Sequence, residues 1–251
     1  MNKYWSEGLY SNCNISQWRK TLKAYKSVLN FKTNMALKTS KTKKVEDVLT
    51  LDQWYQEDLP KTLKDRDEKF LKLEELCHLM RWKLARGKFR PRLTELVKSN
   101  DAKTVEDITR KAFTCLPDIS SAIRELSKLK AVGPATASAI LSAGAPETVP
   151  FMADEALMAI PDLGDINYNL PHYMKYVEKI SKVLTQLREK DPDEEWTAHK
   201  VELALWTEVM AKKLNFDLSQ ECDSVENRSG TQRSKRKAST SSPQLKKRMK
   251  K

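Results

Sequence analysis

Glycine is scarce in this chain, and long apolar runs are missing. Six glycines in 251 residues, ten prolines and no strand-like alternation give little material for the turns and pleated faces of a β-protein. The expectation is therefore an all-α fold. No stretch approaches the ~18 consecutive apolar residues of a membrane span, and the N-terminus has no apolar signal-peptide core, so no membrane partner is expected. The four cysteines, Cys13, Cys77, Cys115 and Cys222, are scattered without a Cys-x-x-Cys pair. His78, His172 and His199 show no ligand spacing beside them. This spacing does not suit a structural zinc or an iron–sulfur cluster, and neither metal nor cofactor is expected. Unpaired cysteines suit a reducing compartment.

What is present is charge, unevenly spread. The formal net charge is +12, but residues 228–251 alone hold ten Lys/Arg and no acid, which leaves 36 cations against 34 carboxylates in residues 1–227. The body is nearly neutral and only its local patches argue for an anionic partner. Residues 219–251 have too few apolar groups to offset chain entropy and read as a disordered basic tail. Lys235, Arg236 and Lys237, then Lys246, Lys247 and Arg248, form two basic clusters around STSSP. This is the pattern of a bipartite nuclear-import signal, so a nuclear location and an import receptor are expected.

Helical periodicity covers the rest. Residues 1–44 are expected to give a basic N-terminal helix and connector packing on the core, and residues 45–218 a helical domain. Ile15, Trp18, Leu22, Tyr25, Val28 and Leu29 repeat at helical spacing, with Arg19, Lys20, Lys23 and Lys26 on the wet faces. A short helix from Val45 to Leu59 is expected to stop at Pro60, and a long one to span residues 65–86 with Gly87 as its C-cap. Further helices are expected at Thr94–Lys98, Thr104–Leu116, Asp118–Leu129, Leu170–Lys190 and Asp193–Leu214, with Thr104 and Asp118 as caps.

Two stretches carry candidate chemistry. The run R-W-K-L-A-R-G-K-F-R-P-R from Arg81 to Arg92 has six cations in twelve residues and no acid. Basic groups late in a helix suit its dipole, but Arg86, Lys88, Arg90 and Arg92 continue through a Gly/Pro turn where the dipole explains nothing. Alternation with Trp82 and Phe89 suits a phosphate track with base stacking. The wording of this run is similar to a stretch in eukaryotic proteins that have no assigned function, which supplies no chemistry.

The second stretch is Leu126–Glu155. A turn through Lys130, Ala131, Val132 and Gly133 separates two helical segments, and Pro134 opens the second. The bare N–H groups of a helix start, with a glycine before them, make a ready anion site. The segment L-K-A-V-G-P-A-T-A resembles the helix-hairpin-helix element L-P-G-V-G-P-x-T-A that grips a DNA backbone phosphate. In the helix-hairpin-helix DNA glycosylases a short loop after the second helix leads to a catalytic Asp, and Asp154 stands nineteen residues after Ala135. The resemblance implies an orthogonal helical bundle with the hairpin at about 118–144, DNA contact by Val132, Gly133, Pro134, Ala135 and Thr136, and Asp154 as catalytic candidate with Glu155 as backup. Ala131 replaces the first motif glycine, and Ala135 stands where bifunctional members carry a sugar-attacking Lys, so lyase chemistry by that route is excluded. The expectation is a nuclear DNA-binding protein without that chemistry. The alternatives are a monofunctional DNA glycosylase of base-excision repair using Asp154, and a helical protein-interaction module. For Asp154 itself the competing reading is an N-cap of its own helix.

Overall fold

The computed structural model describes residues 8–12, 14–39 and 47–219. Every regular element among them is helical: α1 (Ile15–Lys23), α2 (Tyr25–Thr39), α3 (Val48–Gln53), α4 (Leu59–Lys64), α5 (Leu73–Arg86), α6 (Pro91–Lys98), α7 (Ala102–Thr114), α8 (Ile119–Leu126), α9 (Pro134–Gly144), α10 (Asp154–Met158), α11 (Leu170–Lys190) and α12 (Ala198–Leu214). The two basic clusters of the tail and the connector after α2 lie outside the described residues.

Two helices act as hubs. α9 touches α4, α5, α8 and α11, and α12 touches α1, α2, α10 and α11. Their sequences explain the role. α9 reads PATASAILSAG, and its small side chains let neighbours approach closely; Thr136 through Gly144 are all buried. A Cβ at Gly144 would lie 2.4 Å from the Phe113 ring, so any side chain there would have to displace that ring. α12 is buried from Val201 to Ala211, and it carries Glu202, Thr207 and Glu208 into the interior among Leu205, Trp206 and Val209. α1 and α2 lie directly on this hub, so the basic N-terminal helices complete the same core, with Trp18 fully enclosed.

Several boundaries differ from the sequence expectation. The first periodic run divides at Ala24 into α1 and α2. Pro60 does not end its helix: α3 passes through a π-helical turn at Trp54–Asp58 into α4, with Pro60 in the first turn. The wider turn, closed by Leu59 N–H to the Trp54 carbonyl, absorbs the donor that proline lacks. α5 begins only at Leu73, and the preceding segment is non-helical although Leu71 is fully buried. Glu75 fixes that start by accepting from the Lys72 N–H at 2.8 Å and pairing with Arg66 at 2.6 Å. α7 starts at Ala102, and its cap is Asp101, which accepts from the Thr104 N–H, rather than Thr104 itself. α12 starts at Ala198, capped by Thr197, five residues later than expected.

The turn between α8 and α9 is pinned from both sides. Asp118 caps α8 by accepting from Ser121 N–H at 3.0 Å, and Asn100 holds Lys130 N–H at 2.8 Å. Ala131 takes a left-handed conformation with φ of 64°. An L-residue there pays a steric cost that glycine does not. Ala131→Gly is therefore expected to raise stability by about 0.5–1 kcal/mol, the relief of strain exceeding glycine's extra unfolded-state entropy. Urea denaturation checks this; a lower midpoint would show that the turn is not strained.

Candidate nucleic-acid interface

A cleft of about 510 Å³ opens where the end of α5, the start of α9 and the start of α10 converge. Its lining includes Gly133 to Thr136, the cations Lys83, Lys88 and Arg90, and the carboxylates Asp154 and Glu155. Gly133 is exposed, Pro134 and Ala135 are half-buried, and no side chain caps the helix start. Thr136 and Ala137 N–H groups bond back to the Gly133 carbonyl, whereas those of Gly133 and Ala135 meet no acceptor among the described residues. The start of α9 thus opens onto the cleft with donors to spare. Val132 and Thr136 are buried, and their N–H groups are taken by the Leu129 and Gly133 carbonyls, so the open donors are those of Gly133 and Ala135.

Asp154 is the first residue of α10, and Ala153, not Asp154, occupies the cap position. Its oxygens are engaged elsewhere. Oδ1 accepts from the Tyr168 hydroxyl at 2.7 Å, and Oδ2 pairs with Lys88 at 3.0 Å. The side chain is 16% exposed, held at the cleft rather than folded over its own backbone. Burial and the Asp154 hydrogen bond push the Tyr168 hydroxyl up to about 12, so it stays a donor. Glu155 pairs with Lys213 of α12 at 3.1 Å, which leaves it a supporting position beside Asp154.

The cationic track divides. Arg86 is 1% exposed and leaves the track: its guanidinium bonds Glu202 at 2.9 Å and the Tyr25 hydroxyl at 3.1 Å. It lies 4.6 Å from the Trp206 ring centre and 5.5 Å from that of Phe151. A side chain so enclosed cannot reach a phosphate. Trp82 is likewise core, stacked on Tyr55 and donating to Asp52 at 2.9 Å, and is unavailable to a base. Lys88 is exposed at the rim, Arg90 lies over the Tyr168 ring at 5.4 Å, and Phe89 between them projects with 78% of its surface in solvent. Arg92 is exposed on α6 but does not line the cleft.

Beneath the cleft runs a buried polar network. Tyr25 hydroxyl and Trp82 indole both donate to Asp52 Oδ1, and Gln56 bonds His199 Nε2 at 2.6 Å. Burial raises the Glu202 carboxyl to about 7 against the opposing pull of Arg86. Burial, then Arg86, lowers the His199 imidazole to about 3, which keeps it neutral. Among the described residues no His, Cys, Asp and Glu group has the makings of a metal site.

No protein-family model, no curated protein and no solved structure matches the chain. Its own geometry therefore carries the functional argument. Lys32, Lys83 and Tyr168 belong to the cleft but were not singled out by sequence. Lys32 donates to the Arg86 carbonyl at 2.6 Å and so closes the end of α5. No local pattern announces this, because the partners are 54 residues apart.

Proposed function

We propose that the chain binds duplex DNA through this cleft, in the nucleus, with the turn and start of α9 acting as a helix-hairpin-helix grip on one backbone phosphate. The observation that carries this reading is the convergence, in one cavity, of an uncapped helix start and the cations Lys83, Lys88 and Arg90. Phe89, exposed between two of those cations, is placed to stack on a base. The tail's basic clusters supply the expected import signal.

Gly133 allows a test free of folding effects. Its φ of −99° suits any residue, and a Cβ would meet nothing within 4 Å. Gly133→Ala should leave the thermal midpoint unchanged while pushing a phosphate off the α9 N–H groups, weakening duplex binding by ~10-fold. Neutralising Lys88 and Arg90 should weaken binding irrespective of sequence and lower the salt slope by about 1–2. Fluorescence anisotropy on a labelled duplex reads both. If wild type shows no salt-sensitive binding, the reading fails and the bundle is better regarded as a protein-interaction module.

A second reading, base release by Asp154, is favoured by one observation: its carboxylate faces the cavity and is held by Tyr168 and Lys88 rather than spent as a cap. A flipped nucleotide in the cleft would bring its C1′ toward this carboxylate, which would stabilise the sugar cation as the base departs.

A further inference from the structure

Beneath the cleft lies a carboxyl for which DNA binding alone has no use. Glu202 of α12 is fully buried, and its Oε1 is engaged by Arg86 at 2.9 Å. Among the described residues, Oε2 has no hydrogen-bond partner. It faces His199 Nδ1, 3.6 Å away. The surrounding network fixes what that nitrogen can do. Gln56 turns its amide nitrogen to the Tyr25 hydroxyl and Asp52 Oδ1, each at 3.4 Å, so its Oε1 accepts from His199 Nε2–H at 2.6 Å. Burial keeps the ring neutral, and Nδ1 therefore presents a lone pair. An ionised Glu202 turns a second lone pair toward it; a protonated Glu202 can donate to it from Oε2. The cluster thus has a place for a proton on Glu202 as well as an ion pair without one.

The groups that face Glu202 come from every side. They are Arg86 from α5, Asp52 from α3, Tyr25 from α2, Tyr55 from the π-helical turn, Tyr176 from α11 and Glu155 from α10. α1 also packs on α12, and its Arg19 is engaged by Asp191. Burial raises the three tyrosines, which stay neutral, while Arg86 stays charged. Burial, opposed by Arg86 and assisted by Asp52 and Glu155, lifts the Glu202 carboxyl to about 7.

Arg86 borders the cleft as well, although its side chain is 1% exposed. It cannot touch an anion there, but its charge lies beneath one. With Glu202 ionised the floor holds a matched pair, whose field in the cleft is small. With Glu202 protonated the guanidinium is unmatched, and a phosphate at the α9 start supplies the missing negative potential. We propose that the Arg86–Glu202 pair couples anion binding to proton uptake: Glu202 takes a proton as the cleft takes a DNA phosphate, so binding tightens as pH falls. A proton on Glu202 and a phosphate in the cleft favour each other by the same factor.

This inference rests on the DNA-binding reading, and the experiment separates the two. Affinity of the full chain for a labelled duplex is followed by anisotropy between about pH 5.5 and about pH 8.5, at fixed ionic strength. Wild type should bind ~5- to 10-fold more tightly at the acidic end, through a midpoint near 7. Calorimetry in two buffers of different protonation enthalpy should show net proton uptake on binding at neutral pH. Glu202→Gln stands in for the protonated carboxyl and can still accept from Arg86. Once thermal melting shows it folded, it should bind at every pH as wild type does in acid, without proton uptake. Lys83 also lines the cleft, and burial lowers it to about 8, so Lys83→Arg is the second variant and should keep the linkage. A flat wild-type affinity, no proton uptake, linkage lost in Lys83→Arg, or linkage kept in folded Glu202→Gln overturns the proposal. If Glu202→Gln does not fold, the wild-type and Lys83→Arg measurements decide it. Absence of salt-sensitive duplex binding at every pH overturns the DNA reading, and this inference with it.

Discussion

Glu202→Leu is expected to destabilise the protein by about 3–5 kcal/mol, and by more than Arg86→Met does. The asymmetry follows from what each substitution leaves behind. Removing Glu202 strands a guanidinium that is 1% exposed and whose charge burial opposes, with only the Tyr25 hydroxyl and the Asp52 carboxylate left to favour it. That cation has no means of becoming neutral. Removing Arg86 leaves a carboxyl that burial already raises to about 7, so it takes up a proton at small cost. The aromatic side chains around the site, Tyr25, Trp82, Phe151 and Trp206, would close on the shorter methionine. Combining the two substitutions should recover much of the loss, because no unpaired charge remains. Urea unfolding at neutral pH measures all three; the reverse order of the single variants would mean that charge does not govern this pair.

The second large effect concerns Asp154. Under the base-release reading, Asp154→Asn keeps the shape of the side chain and can still accept from Tyr168, but removes the negative charge that would face a developing sugar cation. Release of uracil, alkylated or oxidised bases from duplex oligonucleotides should fall by ~10²-fold or more, while affinity for the same duplex changes little. The amide also loses the ion pair with Lys88, whose side chain is 66% exposed, so that loss alone is worth little. Abasic product formed equally by wild type and Asp154→Asn would remove Asp154 as the catalytic group. Absence of product from every substrate would leave DNA binding as the sole activity.

How much of this was legible depended on the range of the interaction. Helix α11 matched its expected ends, Leu170 and Lys190, because Asn169 caps it and a proline follows in the first turn. Both are local signals. Gly87 closing α5 and Asp118 capping α8 were readable for the same reason. The start of α5 was not: Leu71 packs inward from a non-helical segment, with Phe70 half-buried beside it between Arg66 and Arg110, and the two imitate the helical stripe. Arg86 was misread on physical grounds. Sequence places it in an uninterrupted cationic run, and the acid that buries it lies 116 residues away on α12. The family resemblance paired Asp154 with the α9 start, and both line the cleft, but Tyr168 and Lys32, which line it too, are brought there only by tertiary packing.

The hub position of α9 has a bearing on how any occupant of the cleft is received. Walled by α4, α5, α8 and α11 along a surface of alanines, serines and one glycine, this helix resembles an axle set deep in its bearings. Its free end cannot rock or slide unless four neighbours shift with it. A guest at that end therefore meets a seat whose contours were settled when the chain folded, and little of the attraction is spent on tidying the host.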